Sequence, residues 1–394
     1  MRDYYDYLIV GGGPAADGAA RGIRSVDEHG SIGIVGDDVD PPYDRPKLSK
    51  DLWNDPEASF SDIWLDTEQA TDAQVLTKTV VTAIDTRAHT VHSERGHAIG
   101  YGKLLLATGG HPRTVPSLPA GDRTIYFRTA ADYRRLVDVA ARRGHIAVVG
   151  ASFIGTEIAA SLSTAGCSVT LIFPNETIGD RAYPESVREQ IEKSFSDHGV
   201  DLKRGVRVDG GSVGEQSVSL SLSDGAEVTA DVVVLGLGIA PSVELAERAG
   251  IAVDDGIVVD SQLRTSADDV FAAGDVANYP DAILGRRRVE HIDNAGEMGQ
   301  TAGANLAGSP NDYLHTPYFW SDIFDSGYEA VGDLDASKPM VEVDKPDGGK
   351  VVYYRDGDGI RGVLLWNLFG STDDALAVMA EDSRLTDDDL RDRI

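Results

Sequence analysis

Cysteine is almost absent from this chain of 394 residues, which contains only Cys167. A single cysteine excludes an intrachain disulfide, and no Cys-x-x-Cys or Cys-x4-Cys pair is present to pass electrons through a redox disulfide. Chemistry that runs through an active-site disulfide is therefore excluded. Cys167 stands at the entry to an apolar strand, where the expected role is that of a small buried core residue.

Lysine is also scarce, because only nine of the 36 basic residues are lysines, and 65 acidic residues bring the net charge to −29. An excess of acids with little lysine suits a cytosol at very high salt, where screening weakens self-repulsion. An acidic surface for a basic partner is the alternative, but the acids are spread along the whole chain. Nucleic-acid binding is disfavoured because the phosphates would be repelled.

Long apolar runs are lacking as well. The longest, residues 232–238, is typical of a buried parallel strand, and nothing approaches the length of a membrane span. The first residues lead directly into a strand, so we expect no targeting segment and a cytoplasmic location in a high-salt cell. No metal site is predicted. The length predicts two or three domains.

Glycine-rich turns are what the chain does contain. Residues 7–16 read Tyr-Leu-Ile-Val-Gly-Gly-Gly-Pro-Ala-Ala, an apolar strand that runs into a Gly-x-Gly-x-x-Ala pattern and a helix start. In this pattern Gly11 makes the tight turn, Gly13 lets the backbone approach a pyrophosphate, and Ala16 lets helix and strand pack closely. The helix N-terminus favours phosphate. An ordinary glycine turn is the alternative, which the strand and helix around it disfavour.

A second fingerprint occupies residues 145–155, with Gly150, Ser152 and Gly155 in the three key positions. Ser152 replaces the middle glycine, so it adds bulk where phosphates approach, although its hydroxyl can also donate to them. A structural Rossmann unit without a nucleotide is the alternative. Two fingerprints indicate two nucleotides, and a bound flavin with a visiting nicotinamide is the pair that we expect.

Polar residues follow the second strand of each fingerprint unit. Asp37 and Asp38 follow residues 32–35 and are placed to accept hydrogen bonds from ribose hydroxyls. Asn175 and Glu176 occupy the equivalent place in the second unit. An amide and an acid suit a ribose diol, and no arginine stands directly there to receive a 2′-phosphate. NADH is therefore favoured over NADPH, although Arg181 lies close downstream.

The predicted fold class is α/β, with two Rossmann-like dinucleotide-binding domains, for FAD and NADH, and a C-terminal α+β domain with an antiparallel sheet. Residues 271–275, Phe-Ala-Ala-Gly-Asp, are expected to return to the first domain. A hairpin is predicted in the third domain around Asp356-Gly357-Asp358-Gly359. The predicted domains are residues 1–118 with 243–309 for FAD, 119–242 for NAD(H), and 310–394 as an interface or dimerisation-like domain.

The order of these motifs, together with several further strings, resembles a known family. The chain is similar to the two-dinucleotide flavoproteins that include the ferredoxin reductases of oxygenase systems, and most of all to apoptosis-inducing factor and its prokaryotic relatives. The likeness covers almost the whole chain. The strings that carry it are residues 43–53, 173–174, 285–291, 319–322, 327–330 and 363–367.

The resemblance implies an FAD site. It implies that Asp275 holds the ribityl chain, that Arg45 and Arg128 contact the FAD backbone, and that Lys50 pairs with Glu157 beside the isoalloxazine. A cation there stabilises the anionic reduced ring, whereas a weak surface salt bridge is the alternative. The complete predicted set is Gly11, Gly13, Pro14, Ala15, Ala16, Asp37, Asp38, Arg45, Lys50, Val81, Arg128, Asp275 and His291.

The resemblance also implies an NADH site. Phe153 is expected to move or stack as the nicotinamide enters, and Gly238 to allow close approach. His291 is expected against the flavin and Trp320 in a structural or electronic role, since hydride transfer depends on orientation more than on a base. The predicted set is Gly150, Ser152, Phe153, Ile154, Gly155, Asn175, Glu176, Gly238, Glu290, Trp320, Glu329 and Asn367. Catalytic roles are predicted for Lys50, Glu157, His291 and Trp320.

Two functions follow. The first is an FAD-dependent NAD(P)H oxidoreductase that passes hydride from NADH to flavin N5 and then electrons to an iron–sulfur protein such as a ferredoxin, to a quinone or to dioxygen. Residues 286–288, three arginines, are the only obvious docking patch for an acidic ferredoxin, or else a solvated or nucleotide-facing loop. The alternative function is a slow-turnover redox sensor, whose NADH-reduced charge-transfer complex controls homodimerisation. Ser152 and Asn175 depart from the family pattern.

Overall fold

The computed structural model of the protein describes residues 2–357, 359–381 and 385–394. Its strands are β1 (Tyr4–Val10), β2 (Ile32–Val35), β3 (Gln74–Leu76), β4 (Val81–Asp85), β5 (Thr90–Ser93), β6 (Ala98–Leu106), β7 (Gly110–Pro112), β8 (Thr124–Tyr126), β9 (His145–Val149), β10 (Ser168–Ile172), β11 (Asp201–Lys203), β12 (Val208–Val213), β13 (Val218–Leu222), β14 (Glu227–Ala230), β15 (Val232–Leu235), β16 (Ile239–Pro241), β17 (Ile257–Val258), β18 (Val270–Ala272), β19 (Ala277–Asp281), β20 (Gly285–Arg287), β21 (Tyr318–Ile323), β22 (Ser326–Gly332), β23 (Met340–Asp344), β24 (Lys350–Asp356) and β25 (Gly359–Trp366).

Its helices are α1 (Pro14–Arg24), α2 (Asp51–Asn54), α3 (Thr67–Thr71), α4 (Ala130–Ala140), α5 (Phe153–Thr164), α6 (Glu185–Asp197), α7 (Glu244–Arg248), α8 (Ile292–Leu306), α9 (Thr372–Ala380) and α10 (Asp387–Arg391), with 3₁₀ turns at Pro46–Leu48 and Phe60–Ile63. In the part of the chain that the structure describes, none of these helices combines the length and the apolarity that a bilayer span requires.

The chain divides into two compact units. Unit 1 comprises Met1–Arg45, Ser59–His111 and Ala240–Pro317, and unit 2 comprises Pro46–Ala58, Pro112–Ile239 and Tyr318–Ile394. The division of the sequence into three domains with the boundaries given above stays a prediction.

A mostly parallel sheet forms the centre of unit 1. Its strand order is β3-β2-β1-β6-β5-β4, with β18 paired in parallel to β6. The four residues of β2 are all buried, as expected of an inner parallel strand that is covered on both faces. The order reverses at β1, because the chain proceeds outward through β2 and β3 on one side and resumes at β6 on the other. Such a reversal is where open α/β sheets bind ligands, at the carboxyl ends of the strands.

Two helices of unit 1 pack unusually closely because both carry small residues on the shared face. A Cβ on Gly18 of α1 would lie 2.4 Å from the Gly296 carbonyl oxygen, and one on Gly303 of α8 would lie 2.1 Å from the Ala19 carbonyl oxygen. Any side chain at these positions would force the helices apart. The packing holds the N-terminus of α1, which follows the first fingerprint, against the body of unit 1.

Unit 2 contains a second parallel sheet with the order β11-β10-β9-β15-β8, in which the strand order again reverses, here at β9. Beside it lies the three-stranded antiparallel sheet β12-β13-β14. The two sheets share a core that includes Leu118, Val149, Leu220 and Leu235. This repeated reversal confirms the expectation of two Rossmann-like folds.

The C-terminal part of unit 2 is the five-stranded antiparallel sheet β21-β22-β25-β24-β23, which confirms the predicted antiparallel layer. The predicted hairpin corresponds to β24 and β25, which pair from Lys350↔Trp366 to Asp356↔Gly359. Of the predicted turn, Asp358 lies outside the described residues. The fold class as a whole is as predicted.

Candidate functional site

The turn after β1 depends on a glycine. Gly11 has φ +123°, and a Cβ there would lie 2.0 Å from the Ala107 carbonyl oxygen at the end of β6. A residue with a side chain is excluded both by the backbone conformation and by the close approach of β6. Gly11 therefore places the start of α1 at the point where the strand order of unit 1 reverses.

The space in front of Gly13 is open. Gly13 caps α1 in an extended conformation, and the nearest atom to a Cβ built on it is Arg45 Nη2 at 3.8 Å. No side chain caps the helix, and Pro14 occupies its first position. The backbone at the start of α1, the positive end of the helix and a guanidinium therefore face the same opening, an arrangement that fits the diphosphate of a dinucleotide.

The two acids after β2, Asp37 and Asp38, differ in the hydrogen bonds that their side chains make. Asp38 accepts a hydrogen bond of 2.9 Å from the Tyr43 hydroxyl, and the Tyr43 ring in turn lies 5.2 Å from the guanidinium of Arg45. Asp38 thus supports the Arg45 side chain. Asp37 is exposed and makes no side-chain hydrogen bond among the described residues. Asp37 is therefore the better placed of the two to accept from a ribose.

The Ala-Ala-Gly-Asp turn lies beside the first fingerprint. Gly274 has φ +79°, and a Cβ there would lie 2.9 Å from the Ala15 Cβ at the start of α1. Asp275 follows and is half-buried, so the predicted ribityl-binding residue stands next to the predicted diphosphate cradle. His291 caps α8 without a side-chain cap bond, and Val81 is buried at the start of β4.

The second fingerprint, like the first, has glycines at positions where the backbone leaves no room for a side chain. Gly150 has φ +103°, and a Cβ there would lie 2.3 Å from the Gly236 carbonyl oxygen. A Cβ on Gly155 would lie 1.8 Å from the Gly150 carbonyl oxygen. These two glycines are required for the close packing of α5 on β9 and β15. The architecture of a dinucleotide cradle is therefore present in unit 2.

Ser152 fits this cradle without strain. Its φ and ψ are −95° and −169°, close to −102° and −168° at the equivalent Gly13, and any residue can adopt this conformation. Its hydroxyl does not cap α5. The next two residues, Phe153 and Ile154, are large, apolar and exposed. The N-terminus of α5 thus presents its first amides, a hydroxyl and apolar surface together.

At the end of β10 the two predicted ribose residues are placed differently. The Asn175 amide donates a hydrogen bond of 2.7 Å to Asp180, so this side chain is already engaged. Glu176 is exposed and has no salt bridge among the described residues, and its Oε1 lies 3.5 Å from where a Cβ on Gly205 would stand. Glu176 therefore offers a carboxylate acceptor there, beside the side-chain carbonyl oxygen of Asn175.

Lys50 and Glu157 form a buried ion pair in unit 2, with 2.8 Å between Nζ and Oε1. Both side chains are less than a tenth exposed. Glu157 also accepts hydrogen bonds of 2.6 Å from the hydroxyls of Ser49 and Ser321. These three donors compensate the carboxylate for the hydration that it loses on burial. These contacts rule out the alternative of a weak surface salt bridge between Lys50 and Glu157.

Trp320 lies on the other side of the Lys50 ammonium, whose nitrogen is 5.7 Å from the indole ring centroid. Asp322 shares a face of β21 with Trp320. Burial raises the pKa of the Asp322 carboxyl, the Lys50 charge opposes that shift, and Glu157 and Asp51 add to it. The ammonium is thus held between a carboxylate and an aromatic face in a region with excess negative charge.

Ser321 connects the pair to a buried tyrosine. Ser321 and Tyr328 are partners in the register of β21 and β22 and are linked by a side-chain hydrogen bond, and the Tyr328 and Tyr183 hydroxyls are 2.6 Å apart. Burial raises the pKa of Tyr328 well above its ordinary value, so its hydroxyl stays protonated. A donor chain that ends on Glu157 satisfies every one of these hydroxyls.

Two predicted nicotinamide residues support a loop. Glu329 accepts a hydrogen bond of 2.8 Å from the Gly370 amide, and the Asn367 side-chain carbonyl accepts one of 3.0 Å from the Gly327 amide. They hold the loop after β25, from which Phe369 projects into solvent. Of the remaining predicted residues of unit 2, Gly238 has φ +77° and open space around it, and Arg128 is half-buried just before α4.

Two of the three consecutive arginines, Arg286 and Arg288, are engaged by contacts within unit 1. Arg286 donates to the carbonyl oxygens of Val259 and Asn278 at 3.1 and 2.7 Å. Arg288 donates to Glu290 and to the backbone of the Ala-Ala-Gly-Asp turn. Of the two interpretations offered by the sequence, these contacts favour a loop that faces the nucleotide-binding residues.

Ser49, Ser321, Tyr43 and Asp322 were not singled out from the sequence, although each lies within a quoted string. Ser49 and Tyr43 fall in residues 43–53, and Ser321 and Asp322 in residues 319–322. A small polar residue after three aromatic residues of a strand was the signal available for Ser321. Its partner, Glu157, is 164 positions away, and no local pattern reveals that pairing.

An ion pair of unit 1 at the start of α8 predicts a pH effect on stability. His315 Nε2 lies 2.5 Å from Asp293 Oδ2. Burial by itself lowers the pKa of His315, but the hydrogen bond and charge of Asp293 outweigh it, and the pKa is raised. The contribution of this ion pair to the free energy of unfolding is therefore fully present below the ordinary imidazole pKa of about 6.5. It is lost as the pH rises through the raised pKa of His315.

We accordingly expect the free energy of unfolding, measured in urea, to fall by about 1 kcal/mol between pH 6 and pH 9. This pH dependence should be absent from His315→Gln. His29→Gln is the control, because His29 is exposed and its imidazole makes no hydrogen bond among the described residues. An equal pH dependence in the wild type and in His315→Gln would contradict the assignment.

Two glycine cradles at two reversals of strand order, with a buried lysine–glutamate pair beside an aromatic, define a flavin-dependent oxidoreductase that uses a pyridine nucleotide. The family comparison agrees. The chain belongs to the pyridine nucleotide-disulphide oxidoreductase family, whose model matches residues 5–299. A second model, for the C-terminal domain of mitochondrion-associated apoptosis-inducing factor, matches residues 302–350. The chain is an FAD-dependent oxidoreductase of the ferredoxin reductase-like type, with NADH as its coenzyme.

Individual relatives are similar over nearly the whole chain. The ferredoxin–NAD(+) reductase component of an anthranilate 1,2-dioxygenase system from Burkholderia cepacia is 36% identical over 90% of this chain and 88% of its own. Apoptosis-inducing factor 1 of Dictyostelium discoideum is 30% identical over 95% of this chain and 78% of its own. Among solved structures, a ferredoxin reductase from Rhodopseudomonas palustris has a TM-score of 0.88, 28% identity, and coverage of 99% of this chain and 98% of its own.

Proposed function

We propose that this chain oxidises NADH and delivers the electrons one at a time to a small iron–sulfur protein of the ferredoxin type. The observation that carries the proposal is the state of its only cysteine. Cys167 is buried and donates to the Ala140 carbonyl oxygen, and burial raises the pKa of its thiol. A protonated, inaccessible thiol takes no part in electron transfer, so electrons leave without a disulfide relay. Two relatives whose names describe them as ferredoxin reductase components support the same electron acceptor.

The residues of unit 1 hold the FAD. The amides around Gly13 and the guanidinium of Arg45 bind the diphosphate, and Asp37 accepts from the adenosine ribose. Asp275, beside the start of α1, accepts from the ribityl hydroxyls. FAD, when bound, accepts the hydride of NADH as an electron pair and releases the electrons singly.

The residues of unit 2 hold the NADH and assist its oxidation. The N-terminus of α5 and the Ser152 hydroxyl bind the nicotinamide dinucleotide phosphates, and Phe153 covers the nicotinamide. Lys50, held by Glu157 and lying against Trp320, supplies a fixed positive charge in a buried environment. Such a charge stabilises the negative charge that develops on the acceptor ring, because it needs no reorganisation during the reaction.

The proposal is tested by an anaerobic titration with NADH, in molar potassium chloride because of the net charge of −29, followed by addition of oxidised acceptors. A [2Fe–2S] ferredoxin, a benzoquinone and dioxygen are compared at equal electron equivalents. We expect the flavin absorbance to bleach with NADH and to return fastest, by at least about tenfold, with the ferredoxin. Faster recovery with quinone or dioxygen would contradict the ferredoxin assignment.

The same titration distinguishes a second candidate, a slow redox sensor, which the match of residues 302–350 to the C-terminal domain of apoptosis-inducing factor favours. A sensor would keep a broad long-wavelength band in air and would change from monomer to dimer on reduction. Light scattering before and after NADH addition measures that change. A reduced form that persists for minutes with every acceptor would support the sensor and exclude rapid turnover.

Coenzyme choice is expected to depend on Glu176. Its free carboxylate at the end of β10 suits the 2′-hydroxyl of NADH and repels the 2′-phosphate of NADPH. We expect Glu176→Gln to raise kcat/KM for NADPH about tenfold while changing the value for NADH less, since the loss of one repulsive charge near a phosphate is worth about 1–2 kcal/mol. Glu189→Gln, an exposed acid on α6, is the control. An unchanged NADPH/NADH ratio in Glu176→Gln would remove Glu176 from the ribose site.

A further inference from the structure

Arg288 lies at a junction between two residues of unit 1 that are assigned to different ligands. Its Nη1 is 3.1 Å from the Asp275 carbonyl oxygen and 2.6 Å from Glu290 Oε1. Its Nε is 3.3 Å from Asp255 Oδ1. A single guanidinium therefore donates both to the backbone of the flavin-binding turn and to the side chain of a predicted nicotinamide residue.

The surroundings are built for this contact. The Arg288 side chain is 11% exposed, compared with 37% for Glu290 and 71% for Asp255. Gly256 makes room for the arginine, because a Cβ there would lie 2.8 Å from Arg288 Cδ. Burial by itself lowers the pKa of Arg288, but the hydrogen bonds and charges of Glu290 and Asp255 raise it, so the guanidinium remains charged.

The geometry of the junction sets what the arginine can do. A charged donor held in a protected position restricts the Glu290 carboxylate to one orientation, and the same nitrogen restrains the carbonyl of the turn that follows Gly274. The turn is also held by the Gly274 amide, which donates to Met298 Sδ, so Arg288 is one of several contacts that fix it. Movement on one side of Arg288 is therefore transmitted to the other.

We propose that Arg288 is a positioning residue that couples the nicotinamide-binding Glu290 to the flavin-binding turn at Asp275. The inference rests on the flavin-binding role proposed for Asp275 and on the nicotinamide-binding role that the sequence predicts for Glu290. Lysine at this position would not reproduce these contacts, because one ammonium nitrogen cannot reach Asp255, as Arg288 Nε does, together with the two acceptors of Nη1. Coupling is reciprocal: if NAD⁺ strengthens FAD binding through Arg288, then FAD strengthens NAD⁺ binding by the same factor.

The test measures FAD binding to the apoprotein with and without NAD⁺, by the quenching of flavin fluorescence, alongside steady-state oxidation of NADH by ferricyanide. In the wild type we expect NAD⁺ to tighten FAD binding about fivefold. In Arg288→Met the factor should fall to near one, and the KM for NADH should rise about tenfold with little change in kcat. Arg288→Lys should lose at least half of the coupling. It replaces Arg288→Met as the test variant if Arg288→Met does not fold.

Arg264→Met is the matched control, because Arg264 forms an exposed ion pair with Asp260 in the same unit. It should leave the coupling and the KM unchanged. Arg288→Met or Arg288→Lys with wild-type coupling and KM would overturn the proposal. A merely structural arginine would lower stability in urea without changing either value.

Glu290→Gln separates the possible failures. If it raises the KM for NADH whereas Arg288→Met does not, the coupling role of Arg288 is wrong. If it leaves the KM unchanged, the placement of Glu290 at the nicotinamide is wrong, and this inference fails with it. Because ferricyanide replaces the natural acceptor, none of these results depends on whether that acceptor is a ferredoxin.

Discussion

Replacing Lys50 with methionine is expected to slow reduction of the bound flavin by NADH about a hundredfold, because one preorganised charge in a buried site is worth that much when it acts on the transition state. Its Nζ is 2.8 Å from Glu157, and both side chains are buried. The rate is measured by anaerobic stopped-flow absorbance. Lys193→Met is the control, since Lys193 forms an exposed pair with Asp197 on α6.

Stability separates this electronic role from a structural one. Glu157→Gln should destabilise the protein by about 3 kcal/mol, because it leaves a buried ammonium without a charged partner. The double variant Lys50→Met/Glu157→Gln should recover most of that loss, since no unpaired charge remains. It should not recover the rate, because the cation is still missing. A double variant with the wild-type rate would show that Lys50 only neutralises Glu157.

Replacing Gly13 with alanine is expected to weaken FAD binding about a hundredfold, which corresponds to about 2.7 kcal/mol. The protein itself tolerates the methyl group, because the nearest atom is Arg45 Nη2 at 3.8 Å. The methyl would instead occupy the opening in which the diphosphate meets the N-terminus of α1. Affinity is measured by titrating the apoprotein with FAD and following flavin fluorescence.

Gly12→Ala is the matched control for this experiment. A Cβ on Gly12 meets only Gly36 Cα at 3.8 Å, so it is equally compatible with the fold. It should retain FAD within about threefold of the wild type, since it stands outside the diphosphate position of the pattern. Gly11→Ala is less informative, because its methyl collides with the Ala107 carbonyl and loss of FAD would follow from misfolding. Equal FAD affinity in Gly13→Ala and Gly12→Ala would place the diphosphate elsewhere.

Several features of the fold follow from local patterns. The two glycine fingerprints, their strands and the acids after them are written within stretches of about 30 residues, the length of one βαβ unit. The family, the cofactors and the class of reaction follow from these motifs, and all are confirmed. The sequence did not show that the second fingerprint tolerates a serine at position 152. Only the backbone angles show that this position does not require glycine.

What local patterns leave open are contacts between distant parts of the chain. Glu157 accepts hydrogen bonds from Ser49 and Ser321, which lie 108 and 164 positions away, and the sequence around each gives no sign of its partner. The three arginines of β20 and the residue after it read as a basic patch, yet the folded chain surrounds Arg288 with two carboxylates and a carbonyl. Hydrogen bonds and burial depend on which strands become neighbours, so the tertiary structure alone decides which charges are buried, which remain free, and which of them act together.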